Sequence, residues 1–237
     1  WEVMTFDLAC TLPDGRRVTI AAEAADRLSC GVLVLDSVHV GDNPAVTEVT
    51  AELAGKLAAK YGGLLPSEIP GLQEARDLYK SFGMDPSRHR PSSEALLRRV
   101  LKGKDLYRIS NVVDSCNLAS LEFLLPVGMY DLAKVTGDVV LRTGRDGEQY
   151  PGIRKGDVHL AGRLGLFDET GPFGSPTSDS ARTCTSADTT TLFAVIMATA
   201  STSPLEMDNH LSTFSRHFQA FCGAVELFRT TLSGESR

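Results

Sequence analysis

The alternation of apolar and polar positions predicts two strands near the start of the chain. Residues 18–23 and 31–40 are apolar and rich in β-branched side chains, and Asp14-Gly15 marks a turn before the first. Residues 47–61, dominated by Ala, Leu, Lys and Glu, predict a helix that Gly62-Gly63 stops. Leu72, Ala75, Leu78, Tyr79 and Phe82 recur at helical spacing and predict one buried stripe, ended by Gly83. Loop 84–91 is polar, basic and bracketed by prolines, hence expected to be rigid and exposed. Ser92 or Ser93 is then expected to cap a helix to about Leu101, and residues 111–121 to form another.

Strands are expected at 139–142, 158–160 and 164–167, with Gly-rich turns between them. Residues 169–180 read as a Gly/Pro/Ser loop too small and polar to pack a core. The apolar run 191–200 reads as a buried strand, and Pro204 opens a final amphipathic helix to about Phe228. The pattern is a mixed α+β protein. It divides into N-terminal strands and a helix (1–70), a core (71–200) and a C-terminal helix (201–237), forming one unit.

Composition narrows the class. Hydrophobic residues make up 42% and charged residues 23%, ordinary for a soluble globular chain. The longest apolar run, 192–198, is far short of the roughly 20 residues a membrane helix needs. Glu2 and Asp7 stand where a signal peptide would carry basic residues, so none is expected. Cys10, Cys30, Cys116, Cys184 and Cys222 are scattered, with no C-x-x-C pair. They read as buried free thiols of a cytoplasmic protein rather than zinc ligands or a redox dithiol.

Charge changes that picture locally. The net charge is −6, poor for a polyanion binder. Yet residues 76–108 carry nine basic against four acidic residues, an island of +5 on a body of −11. Arg88, Arg90, Arg98, Arg99 and Lys102 are its candidate phosphate contacts, and a solvated helical face is the alternative reading.

Several chemistries are excluded by pattern. There is no G-x-S-x-G elbow, no phosphate-binding G-x-x-x-x-G-K-[ST] and no H-E-x-x-H. His210 and His217, seven apart on the last expected helix, read as surface residues, and no metal site or cofactor is expected.

One segment stands apart. Ile109-Ser110-Asn111-Val112-Val113-Asp114-Ser115-Cys116-Asn117 is followed by Pro126-Val127-Gly128-Met129-Tyr130-Asp131-Leu132, then by Gly137 to Arg142 and by Gly147-Glu148. In order and spacing these pieces resemble the B3/B4 domain, the editing module of the phenylalanyl-tRNA synthetase beta subunit. That module reads I-x-N-V-V-D-V-T-N-Y, P-M-H-A-F-D-L, G-x-I-x-V-R and G-E. The resemblance begins at the helix of Ser92 to Arg99 and fades after about Thr191, and the rest of a synthetase beta chain is absent. It implies a layered β-sandwich flanked by helices, as in a free-standing B3/B4 protein.

The resemblance also implies a partner, tRNA or aminoacyl-tRNA, and a reaction, hydrolysis of a mischarged aminoacyl ester in trans. Such an ester is already activated, so positioning a water and polarising the carbonyl suffices. Candidate polar groups are Asn117, Asp131, Asp179, Arg182 and Thr183, with Asp114 and Thr185 beside them. Asn117 and Thr183 would position the amino acid or water, and Arg182 the carboxyl or phosphate side. Each has a structural alternative: Asp114 as a helix cap, Asp131 tying down the bend after Pro126, Asn117 satisfying backbone groups, Arg182 paired with Asp179. The module's usual His is Gly128 here, and its Gly-Gly-Glu element falls near Ser178-Asp179-Ser180, so an aromatic amino acid is not implied. Two other functions fit the same residues: a non-catalytic RNA-binding module, and a binder of a free amino acid or nucleoside.

Overall fold

The computed structural model describes residues 7–153 and 156–234. Expectations resting on residues 1–6, the reading of Glu2 among them, lie outside the described residues. Two unbroken apolar runs, Ser29–Asp36 (β3) and Leu192–Ala198 (β10), are buried on both faces, as central strands covered on each side must be. They pair antiparallel, with Val34 opposite Phe193 and Val32 opposite Val195. Val225–Ser233 (β11) and Val127–Asp131 (β4) complete a four-stranded sheet in the order β11-β3-β10-β4.

A second sheet runs Ala9–Thr11 (β1), Arg17–Ile20 (β2), Val139–Thr143 (β5), Leu164–Asp168 (β8) and Gly171–Gly174 (β9). Only β2 and β5 pair parallel; its other neighbours are antiparallel. Val18, Ile20, Leu141 and Leu166 from this sheet meet Val32, Val34, Phe193 and Val195 from the first in one core. The fold is therefore α+β with a layered sandwich, the architecture the resemblance implied.

The other face of β3 and β10 carries Leu33, Leu35, Ala194 and Ile196. It packs beneath Asn111–Phe123 (α4) and Pro204–Cys222 (α5). At Gly31 a side chain would stand 2.8 Å from the Met207 sulfur and 2.9 Å from Leu211, so glycine lets α5 lie directly on the strand. Pro44–Tyr61 (α1), Pro70–Ser81 (α2) and Ser92–Leu101 (α3) surround the remaining side of α4 through Leu72, Leu97, Val100 and Leu121. All five stripe residues predicted for α2 are buried. Gln149–Pro151 (β6) and Asp157–His159 (β7) form a separate ribbon. The segments 1–70, 71–200 and 201–237 interleave: the first sheet takes a strand from 201–237, and the second takes two from 1–70.

Four expectations are corrected. The last helix ends at Cys222, because Gly223 adopts a left-handed φ of 67°, and the following residues form β11 instead of further helix. Residues 171–174 form a strand rather than loop, and Phe173 is fully buried in the sandwich core. Neither serine caps α3: Pro91 is the N-cap residue and no side chain caps it, while Ser93 is buried and its hydroxyl has no partner among the described residues. His217 is a buried residue bonded to Glu122 at 2.6 Å, and His210 packs against Phe123 with the ring centroids 5.0 Å apart and the rings tilted at 42°, burial holding its pKa down. Among the described residues no helix is long and apolar enough to cross a membrane.

Candidate functional site

Helix α4 begins where Ser110 accepts a bond from the Val113 N–H at 3.3 Å, and Asp114 accepts one from the Ile109 N–H at 3.2 Å. The cap fixes the helix rotation. Val113, Asn117 and Ser120, at i, i+4 and i+7, then share one face with Cys116. That face forms one wall of a cleft of about 190 Å³. Met129 of β4 and the loop Ser175 to Asp179 form the opposite wall, with Cys184 and Thr185 beside them.

The loop wall is tied down before any ligand arrives. Ser175 Oγ accepts the Tyr150 hydroxyl at 2.9 Å and the backbone N–H groups of Thr177 and Ser178, each at 3.3 Å. Thr177 also bonds the buried Tyr79 hydroxyl at 2.8 Å. Behind the cleft, on the face of β4 opposite Met129, Tyr130 lies over Gly128 and Gly174 in the sandwich core, and a Cβ on either glycine would collide with its phenol oxygen.

Two predicted residues face this cleft. Asn117 is half-buried, and its side-chain amide makes no hydrogen bond among the described residues, so donor and acceptor are both available. Asp179 accepts the Met129 N–H at 3.3 Å and is otherwise crowded by protein. That burial pushes its carboxyl up to about 7. Burial pushes the Tyr130 phenol well up, with the Asp179 charge adding to the effect, and its hydroxyl meets no partner in hydrogen-bond geometry among the described residues. Cys116 and Cys184, expected to be buried, are half-buried and border the cleft. Burial keeps the Cys116 thiol protonated, with the Asp179 charge adding to the effect, so it is not an activated nucleophile.

The other three predicted site residues are not in the cleft, and their polar atoms are engaged elsewhere. Asp131 accepts the Ala133 N–H at 3.1 Å and the Thr189 hydroxyl at 2.8 Å, and lies 3.6 Å from the Lys134 ammonium. It ties down the chain after β4. Arg182 forms a two-pronged pair with buried Asp168, both bonds at 2.9 Å, and not the alternative pairing with Asp179. Asp168 is completed by the N–H groups of Thr136, Thr170 and Gly171. Thr183 is fully buried, bonds Ser180 at 2.9 Å, and its carbonyl receives the Asp131 N–H. Asn117 and Asp179 thus share the cleft, while 131, 182 and 183 stitch the segments around it together.

The basic island is similarly divided. Glu94 is buried, and Arg98 at 2.8 Å, Arg76 at 3.3 Å and Arg90 at 4.0 Å surround its carboxylate. Those arginines neutralise an internal charge that would otherwise be costly. Arg88 is exposed, 3.7 Å from Asp85. Arg99 donates to the Asp105 carbonyl at 2.5 Å and lies 4.0 Å over the Tyr107 ring. Lys102 is exposed, and its ammonium has no partner among the described residues.

A second, larger cavity of about 550 Å³ lies between α1, residues 103–108 and the start of α4. Asn117 lines it too, so one amide borders both spaces. Sequence reasoning missed this cavity because the α1 face that forms its far wall carries only Thr, Ala and Gly. Tyr107, an aromatic among Arg99, Lys104 and Arg108, was the one available signal. Among the described residues no group of three His, Cys, Asp or Glu side chains could hold a metal ion.

No curated protein matches the chain. Among solved structures, it is similar to an N-terminal fragment of the phenylalanyl-tRNA synthetase beta subunit from Pyrococcus horikoshii. The two are 12% identical with a TM-score of 0.46, and the match covers 93% of this chain and 51% of that one, about half its length. The B3/4 domain family matches residues 74–218, which include α3, α4, β4 and every residue of the smaller cleft. The chain belongs to the B3/4 domain family.

Proposed function

We propose that the smaller cleft receives the amino-acid end of an aminoacylated RNA and promotes hydrolysis of its ester. The observation that carries this reading is the pairing of a free amide, Asn117, with a carboxyl near neutrality, Asp179, across a space of about 190 Å³. A space of that size suits one small side chain or an α-amino group. Asn117 donates to the ester carbonyl oxygen as negative charge develops there. Asp179, ionised in a substantial fraction at pH 7, accepts a proton from the attacking water. The ribose oxygen leaves and takes up a proton, giving a free amino acid and a free RNA end.

A panel of minihelices charged with different amino acids tests this reading. Accelerated release of at least one amino acid, lost in Asn117→Ala and Asp179→Asn, is the expected result. Uniformly background release would reduce the function to binding.

A second reading is supported by the arginines around Glu94. With Arg76, Arg90 and Arg98 engaged internally, less charge remains to attract phosphates, which favours a binder of a free amino acid. That reading predicts thermal stabilisation by an amino acid and no affinity for RNA.

A further inference from the structure

We infer that Met129 sets a size limit in the smaller cleft, so that the acyl group admitted there carries a small side chain, of the alanine or serine class. The inference rests on the preceding reading, in which the acyl end of an aminoacylated RNA enters between Asn117 and Asp179.

The limit is built into β4. Met129 and Val127, two apart on the strand, point to one face and both line the cleft, while Gly128 and Tyr130 point into the sandwich. Val127 is half-buried, but Met129 is only 7% exposed, so its thioether forms floor rather than rim. The backbone there is held from both sides. Met129 pairs with Ala194 of β10, and its N–H donates to Asp179 at 3.3 Å. The side chain is thus anchored beside the carboxyl assigned to the attacking water. Met129 shares its buried cluster with Val112, Leu125, Ala194 and Ile196, so packing restrains an otherwise adaptable side chain.

Against the B3/B4 pattern P-M-H-A-F-D-L, aligned with Pro126 to Leu132, Met129 stands at the alanine and Val127 at the methionine. The bulkier residue on this face is therefore the one that holds Asp179. Met129 places Cγ, Sδ and Cε where an alanine side chain ends at Cβ. In a cleft of about 190 Å³ those atoms occupy space that a larger acyl side chain needs. Alanine and serine esters leave the floor undisturbed. Leucine and phenylalanine esters meet the thioether, and an apolar pocket separates ligands by about tenfold or more for a methylene-sized mismatch.

Selectivity provides the test. Wild type, Met129→Ala and Met129→Val are assayed on minihelices charged with alanine, serine, leucine or phenylalanine, after melting curves establish which variants fold. Alanine amide and leucine amide, mimics of the acyl end, are titrated separately while the Asn117 side-chain amide is followed by NMR. A ratio of rates or affinities within one folded protein does not move with its overall stability.

The expected result is that wild type releases alanine and serine about tenfold or more faster than leucine and phenylalanine. Met129→Ala should raise the leucine-to-alanine ratio by about tenfold or more, with Met129→Val between the two. Should Met129→Ala not fold, Met129→Val, β-branched and suited to a strand, carries the same comparison. Equal release of leucine and alanine by wild type, or folded variants with wild-type ratios, would overturn the size limit while leaving hydrolysis intact. No ester release, but a preference for alanine amide that the variants reverse, would keep the limit and sink the hydrolysis reading. Absence of both release and amide binding would overturn both.

Discussion

The phenol oxygen of Tyr130 sits directly over the α-carbon of Gly128, two residues earlier on the same strand and face. A side chain at Gly128 would bring its Cβ to 2.7 Å from Tyr130 Cζ, and Gly174 faces the ring from the other side at the same distance. Tyr130 is fully buried against Phe173 and Phe193, so it cannot swing away. The residue that the editing module carries as His is therefore constrained to glycine here by its own strand neighbour.

Gly128→Ala is expected to destabilise the protein by about 1–3 kcal/mol through overpacking. Tyr130→Phe removes a buried hydroxyl that has no partner among the described residues and is expected to be neutral, or stabilising by about 1 kcal/mol. Urea denaturation of both variants checks this. An unchanged midpoint for Gly128→Ala would show that the ring gives way.

Asp179 makes stability depend on pH in a defined direction. Its folded pKa of about 7 stands above the ordinary 3.8, so the unfolded chain releases this proton first as pH rises. The protonated group's contribution is complete below about pH 4 and is lost between about pH 4 and 7. Asp179→Asn should equal wild type at pH 4 and exceed it at pH 8. The gain should be on the order of 2 kcal/mol, reduced from the full shift because the carboxyl borders an open cleft. Glu74, also raised to about 7 by burial and the neighbouring Glu206 and Asp77, has the same sign and cancels in the comparison. Thermal melts at the two pH values measure the difference.

The Asn117 side chain makes no hydrogen bond among the described residues, so its removal should leave the fold unaffected. Asn117→Ala is expected to change stability by less than about 0.5 kcal/mol. It should lower ester hydrolysis or ligand affinity at least tenfold, about 1.4 kcal/mol. A large loss of stability with unchanged activity would assign the residue to structure.

The two classes of basic residue should separate cleanly. Arg98→Ala weakens the shell around buried Glu94 and is expected to cost about 1–2 kcal/mol of stability, with Arg76 and Arg90 remaining. Lys102→Ala should leave stability unchanged and reduce the salt dependence of RNA binding by about one phosphate contact. Denaturation curves and binding at several salt concentrations distinguish them.

Periodicity was readable wherever one face of an element is buried. The stripe from Leu72 to Phe82 and the apolar run of β10 both reflect burial that local spacing reports directly. Residues 171–174 were misread because a four-residue edge strand holding two glycines and a proline has strand geometry without strand composition. At the site, Asn117 and Asp179 could be picked out as polar groups, but not separated from Asp131 and Arg182. The difference lies in partners distant in sequence: Thr189 completes Asp131 and Asp168 occupies Arg182. The basic island had the same difficulty, since Glu94 looks like any surface acid until its burial is known.

A structure with a non-hydrolysable aminoacyl-adenosine amide, carrying the amino acid released fastest or alanine by default, tests the central claim most directly. The account predicts the acyl group between Asn117 and Asp179, with its carbonyl oxygen within hydrogen-bond distance of the Asn117 amide. Saturating ligand bound elsewhere, or an empty cleft with Asn117 turned onto protein groups, would contradict it.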